Sequence, residues 1–379
     1  MKKKTVLLTG VTGQVVSELA MVLQKLDYRI LYLIRPSGDD DAQARLAKIL
    51  PVVREEMDIA IEGDITLPLG GFSVEDVAKW DGKVDKILHA AAAISFEEKD
   101  ADSVWKTNYV GTKNMLELAD ALGITDFHYI STAYISGTSE VFRETDLDVG
   151  QEFFNPYERS KIAAEKLVHA WAGGKFTISR LPIVLGSSID GEVLTFHSYY
   201  GFFIPFWRMI KSWRRRWDAD RGDCASKGVT FDESGVMNIP LFIDCSETSV
   251  LNMVCVDWVA TVLSQFLPRP SSDRTYHLVD QNPMRVKEVI EVSLAHMRIA
   301  GVMYGPADNS KLTPFLAKIQ GGVTENIRIY QPYVKHGTIF KCDNLVNALG
   351  DKYPKHPRVD EKMLRMMLDY AMSVDFGKK

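Results

Sequence analysis

A chain of 379 residues with 46% hydrophobic side chains can bury one large core or two modest ones, and its 10% aromatic and 25% charged content exclude a disordered or fibrous class. The net charge of −5 offers no chain-wide footprint for nucleic acid. No run of 18 uninterrupted apolar residues occurs, so no transmembrane segment is predicted.

The start MKKKTVLLTG is basic like a signal peptide, but Gly10, Thr12, Gly13 and Gln14 break the apolar segment too early. Cys224, Cys245, Cys255 and Cys342 form no CxxC pair and no metal-like spacing with histidine, so free thiols, a cytoplasmic location and no metal are expected. Through about residue 190, short β-branched runs alternate with amphipathic stretches. TVLLTG, RILYLIR, MDIAIEGD, KILHAAA, FHYISTAYISG and FTISRLPIVLG read as strands. The pattern predicts an α/β fold with a doubly wound parallel sheet, whose ligand lies beyond the carboxyl ends of the strands.

LTGVTG follows the first strand and opens a helix, the context in which a glycine pair points to a dinucleotide. Gly10 permits the sharp turn. Gly13 lets backbone N–H groups approach a pyrophosphate at the helix N-terminus, with Thr12, Gln14 and Val15 beside it. Val16 stands where a third glycine usually permits close helix–strand packing, so the first helix is expected to be pushed outward or the cofactor shifted. At the end of the second strand Arg35 favours the 2′-phosphate of NADP, against the opposing charge of Asp39, Asp40 and Asp41. Asp64, followed by Ile65, ends the third strand in position to accept from the adenine amino group. Ala90 and Ala91 let the fourth strand pass close under the cofactor, while His89 is read as a packed histidine.

Two YxxxK matches follow. Tyr109 to Lys113 lies in a helix whose apolar stripe explains the tyrosine as packing. Tyr157 to Lys161 opens a helix after Pro156, downstream of Thr132 at a strand end. Residues four apart share a helical face, so the ammonium is expected beside the phenol, lowering its pKa for proton relay. Thr132, with Ser131 as the lesser candidate, donates to the reacting carbonyl, and Asn108 orients a water that returns protons to Lys161.

Composition changes after Gly186. The reading places a Rossmann domain at 1–190, rejoined by 250–282, and a smaller, mostly helical substrate domain at 191–249 and 283–379. In FFIPFWRMIKSWRRRW, Trp207, Ile210, Trp213 and Trp217 recur at helical spacing beside Arg208, Lys211, Arg214, Arg215 and Arg216. Three roles compete for this segment: a phosphate clamp, a peripheral membrane contact through 202–217, or a solvated basic helix packed on the core. PRVDEKMLRMMLDYAM reads as a packing helix.

Together, TGVTG, HAAA, TNYVGT, STAYISG, YERSK and RLPIVLG resemble the extended short-chain dehydrogenase/reductase superfamily. GDITLPLGGFS, HAAAAISFEEKD and LPIVLGSSIDGEVLTFHSYY look most like its fatty acyl-CoA reductase and thioester reductase branch, over roughly residues 4–205. The resemblance implies a Rossmann core, NADPH in preference to NADH, cofactor contacts that extend to Pro182 and Ile183 after the sixth strand, catalysis by Tyr157, Lys161 and Thr132, and an acyl thioester arriving on CoA or an acyl carrier protein. Two alternatives keep the same motifs: an epimerase, dehydratase or hydroxysteroid-type dehydrogenase, and an NADP-binding sensor. The sequence leaves the oligomeric state open.

Overall fold

The computed structural model describes residues 3–378. The chain forms two compact units. The first runs to Val184 and adds Val254–Gln281 and Phe340–His356; the second comprises Leu185–Met253, Asn282–Ile339 and the chain from Pro357.

The first unit is built on seven parallel strands: β1 (Thr5–Thr9), β2 (Arg29–Ile34), β3 (Asp58–Glu62), β4 (Lys86–His89), β5 (Asp126–Thr132), β6 (Lys175–Leu181) and β7 (Arg274–His277). Their order is β7-β6-β5-β4-β1-β2-β3. The central strands are buried on both faces, as the continuous runs VLL, ILYLI and KIL require of a parallel sheet covered by helices. Its helices include α1 (Gln14–Lys25), α2 (Ala42–Ile49), α3 (Val74–Trp80), α4 (Ala101–Trp105), α5 (Gly111–Ala121) and α6 (Pro156–Ala170). A π turn, Lys106–Val110, joins α4 to α5.

Residues 340–356 depart from the expected division, which gave 283–379 wholly to the second domain. Phe340, Cys342, Leu345 and Leu349 are buried in the same apolar cluster as Phe142, Leu278 and Val279. The buried Glu144 carboxylate accepts the backbone N–H groups of Asn344 and Leu345, as well as that of His277, and so ties this segment to the sheet. The chain also changes unit at Val184 rather than after 190.

The second unit is mostly helical, as expected, and also carries a small sheet. Ile299–Tyr304 runs parallel to Met237–Ile243, which pairs antiparallel with Thr230–Phe231. Its long helix, Tyr199–Ala219, turns Phe202, Phe203, Phe206, Ile210 and Trp213 inward. Trp213 meets Phe315 edge-on at 5.9 Å, Trp217 lies 5.6 Å from Phe231, and Trp207 Nε1 donates to Asp375 at 2.6 Å. Lys211 pairs with Asp375, and Arg214 donates to Gly235 O while lying 4.1 Å over Phe231. The apolar stripe that suggested a membrane contact through 202–217 is therefore spent on the unit's own core, with Arg208, Arg215 and Arg216 left exposed. Among the described residues no helix is long and apolar enough to cross a membrane. All four cysteines are buried free thiols.

Candidate active site

The sheet order reverses at β1, which pairs with β2 on one side and β4 on the other, so a crevice opens beyond the carboxyl ends of β1 and β4. Gly10 lines it with φ +84°. A Cβ there would fall 2.7 Å from Ala91 N and 2.9 Å from Ala90 C, so only glycine allows the first loop to pass so close to the end of β4. Gly13 N donates to Gly10 O at 2.9 Å, and Gly13 caps α1, whose first turn carries the expected Gln14 and Val15. A bare glycine cradle at the N-terminus of a 12-residue helix fits a pyrophosphate.

Val16 does not obstruct this loop. It is 3% exposed and belongs to the core cluster that holds Leu19, Leu23, Val259 and Leu263. The expected outward push is answered by packing: α1 seats against the helix Val256–Phe266, and the valine fills part of that core.

At the end of β2, Arg35 is exposed and its guanidinium lies 3.7 Å from Asp64 Oδ2. Asp41 caps α2 by accepting from Ala44 N at 2.7 Å, and Asp40 pairs with Lys48, so two of the three opposing acids are engaged away from Arg35. Burial works to raise the Asp64 pKa, but hydrogen bonds from Thr66 and the charge of Arg35 hold it below the usual carboxylate value. Ile65 is fixed from α5, where Asn114 donates to its carbonyl at 2.8 Å and the bare Gly111 accommodates its side chain.

The reacting end is assembled from β5 and α6. Asn155 caps α6 by accepting from Glu158 N at 3.0 Å, and Pro156 pre-sets the first turn, which places Tyr157 and, one turn later, Lys161. Thr132 Oγ1 accepts from Tyr134 N at 3.2 Å, donates to Leu181 O at 3.3 Å and is within hydrogen-bond reach of the Tyr157 phenol. Thr132 and Lys161 are both buried. Pro182, also buried, and the half-buried Ile183 follow β6.

Two details differ from expectation. The Tyr157 phenol is not lowered: burial pushes it up to about 12, with the Thr132 hydrogen bond opposing and Glu158 adding to the rise. Lys161 donates to Tyr129 Oη at 2.7 Å and Ile130 O at 2.8 Å, and burial brings it down to about 7, against the pull of Glu165. Asn108 is also engaged differently. Its amide donates to Ala93 O and Ser160 Oγ, at 3.0 and 2.9 Å, and accepts from Ala93 N at 2.8 Å. Both amide hydrogens are thus used in clamping the loop that follows β4 to α6, instead of orienting a water for Lys161. The π turn around Asn108 aims this side chain at both partners.

The second YxxxK match stays apart from this chemistry. Tyr109 stacks on Trp105 at 4.7 Å, and the exposed Lys113 pairs with Glu117. Sequence reasoning missed Tyr129, Ser160 and the bonding role of His89. The available signal was a phenol inside the apolar strand FHYIST, since a buried tyrosine hydroxyl needs a partner.

A glycine cradle at the switch point, with a Thr-Tyr-Lys set at the neighbouring strand ends, is the arrangement of a nicotinamide-cofactor-binding chain of the extended short-chain dehydrogenase/reductase superfamily. Residues 8–263 match the model of the NAD-binding male sterility protein family, and the chain belongs to that family. It is 30% identical over 176 residues to a linear gramicidin synthase polypeptide of Brevibacillus parabrevis, covering 43% of this chain and 3% of that protein. Over 147 residues it is 30% identical to fatty acyl-CoA reductase 1 of Mus musculus, covering 35% of this chain and 28% of that one. The match thus spans less than a third of either relative's length. In fold it resembles the terminal R domain of the myxalamid PKS-NRPS pathway, with a TM-score of 0.75 at 23% identity over 99% of this chain and 92% of that one.

Proposed function

We propose that this chain reduces an acyl thioester, carried on CoA or on an acyl carrier protein, to an aldehyde or alcohol at the expense of NADPH. The observation that carries the reading is the Thr132–Tyr157–Lys161 set on β5 and α6, with Thr132 and Lys161 buried and Tyr157 half-buried, in the same unit as the Gly10 cradle. Arg35, with Asp40 and Asp41 engaged elsewhere, supports NADPH over NADH by charge and a planar donor fork. The likeness to a fatty acyl-CoA reductase and to a linear gramicidin synthase supports the thioester class.

The bound nicotinamide supplies hydride to the carbonyl carbon. Thr132 and Tyr157 hold the carbonyl oxygen and stabilise the charge that develops on it. Tyr157, whose buried phenol is protonated well above neutrality, gives up its proton to that oxygen. The resulting hemithioacetal collapses to aldehyde and thiol. Lys161, when charged, holds the phenol and the cofactor's ribose in register. Asn108 keeps α6 seated on the loop after β4 that bears Ala93.

The test is a fluorescence titration with NADPH and NADH, followed by addition of an acyl-CoA and measurement of cofactor oxidation. Tight NADPH binding with substrate-dependent oxidation is expected. Tyr157→Phe should cost roughly 100-fold or more in turnover, as loss of a general acid does, and leave NADPH binding nearly intact. Unaltered turnover in this variant removes Tyr157 from the mechanism, whereas oxidation with a sugar nucleotide and none with an acyl-CoA replaces the substrate class.

A further inference from the structure

The hydrogen bonds around Lys161 run in one direction. Thr9 Oγ1 accepts the N–H groups of Ala90 and Ala91, at 3.1 Å each, which occupies both lone pairs, so its own hydrogen goes to His89 Nδ1 at 2.8 Å. His89 is thereby held in the tautomer protonated at Nε2, which donates to Thr112 Oγ1 at 3.2 Å. Thr112 spends its hydrogen on Asn108 O at 2.6 Å. Thr112 also interacts with the Tyr129 phenol and, with its hydrogen committed, can serve it only as an acceptor. Lys161 Nζ donates to the Tyr129 oxygen at 2.7 Å, so the phenol hydrogen must be turned away from the lysine, and Thr112 is the acceptor on that side.

Tyr129 is 1% exposed, and its ring stacks on His89 at 5.7 Å with 26° between the planes. The same Nζ lies 4.2 Å from the Tyr129 ring centroid. Lys161 is 2% exposed, so its ammonium depends on the few acceptors that the fold supplies. Tyr129 Oη and Ile130 O take two of its three hydrogens, which leaves one for the reacting end of the site.

We infer that Tyr129 is a positioning residue of this enzyme: its phenol oxygen, oriented by Thr112 and His89, anchors the Lys161 ammonium and keeps it charged. The inference rests on reading Lys161 as the site's lysine. The groups that face the lysine are Tyr157 and Glu165 on its own helix, Tyr129 on β5 and the neutral His89 on β4; Arg180 of β6 pairs with Glu165. Because burial already brings Lys161 down to about 7, losing one acceptor acts within the working pH range.

Tyr129→Phe keeps the ring and its packing and removes only the oxygen. The lysine is followed by NMR of 13C-labelled lysine side chains in the full chain, with the Lys161 signal assigned by its loss in Lys161→Arg. The Lys161 midpoint is expected to fall by about one pH unit, the effect of one lost hydrogen bond to a charged group. The alkaline limb of the reductase pH–rate profile should move with it at unchanged KM, whereas a merely structural loss lowers kcat evenly at all pH values. Thr112→Val is the second variant. It leaves Tyr129 without its acceptor, so the phenol donates toward the lysine and the midpoint falls again. An unmoved midpoint in either folded variant overturns the inference. The titration needs no substrate, so its outcome is separate from whether thioesters are reduced.

Discussion

Replacing Val16 by glycine restores the third glycine of the dinucleotide loop and tests whether the valine belongs to the cofactor site or to the core. The side chain is 3% exposed and sits in the cluster with Leu19, Leu23, Val259 and Leu263. Its removal forfeits about 1.5–3 kcal/mol of burial. A partly unfilled cavity and glycine's poorer helix propensity raise the cost to about 3 kcal/mol. At about 2–4 °C per kcal/mol for a domain of this size, Val16→Gly should lower the melting temperature by about 6–12 °C. NADPH affinity, measured by fluorescence titration, should stay within about threefold, or ~0.65 kcal/mol, because the side chain faces the core and not the Gly10 cradle. An unchanged melting temperature with NADPH bound about tenfold tighter would refute this reasoning and place the valine against the cofactor.

Gly10→Ala forces a side chain into left-handed backbone and against the backbone of Ala90 and Ala91, so a stability loss of about 2–5 kcal/mol is expected. NADPH binding should weaken at least about tenfold, and a variant with native melting temperature and affinity would remove the close approach from the account. His89 is held down to about 3 by burial first and the Lys161 charge second, below the ordinary 6.5. A depressed histidine contributes stability that is present above pH 6.5 and is lost as pH falls toward 3. Denaturant titrations should therefore show that His89 contributes about 2 kcal/mol of the stability lost between pH 7 and 5, and that His89→Gln flattens the slope by this amount. Parallel slopes for the two proteins would sink that assignment.

Several parts of the site were legible in short windows. Gly10 and Gly13 between a strand and a helix, and Pro156 ahead of Tyr157, act through backbone sterics and capping within a few residues. The same local logic separated Tyr157 from Tyr109, whose neighbourhood is a plain amphipathic helix. The strand runs through residue 190 followed from hydrophobic continuity, which a parallel sheet buried on both faces requires.

Residues 340–356 were misassigned because a seven-residue helix carries little periodic signal, and its place depends on Glu144 and the core around Phe142. The stripe on Tyr199–Ala219 showed correctly that one face is apolar, but whether it meets lipid or protein depended on Phe231, Phe315 and Asp375, all distant in sequence.

The sequence by itself therefore determined the class of fold and singled out the glycine loop and the Thr-Tyr-Lys set as candidates, because each rests on chemistry that neighbouring residues impose on one another. Only the tertiary structure decided what those groups touch. Lys161 meets Tyr129 across 32 residues, Asn108 meets Ser160 across 52, and Thr9 meets His89 across 80. Such pairs are set by strand order and helix packing, and these arise from the burial of the whole core and from no local pattern.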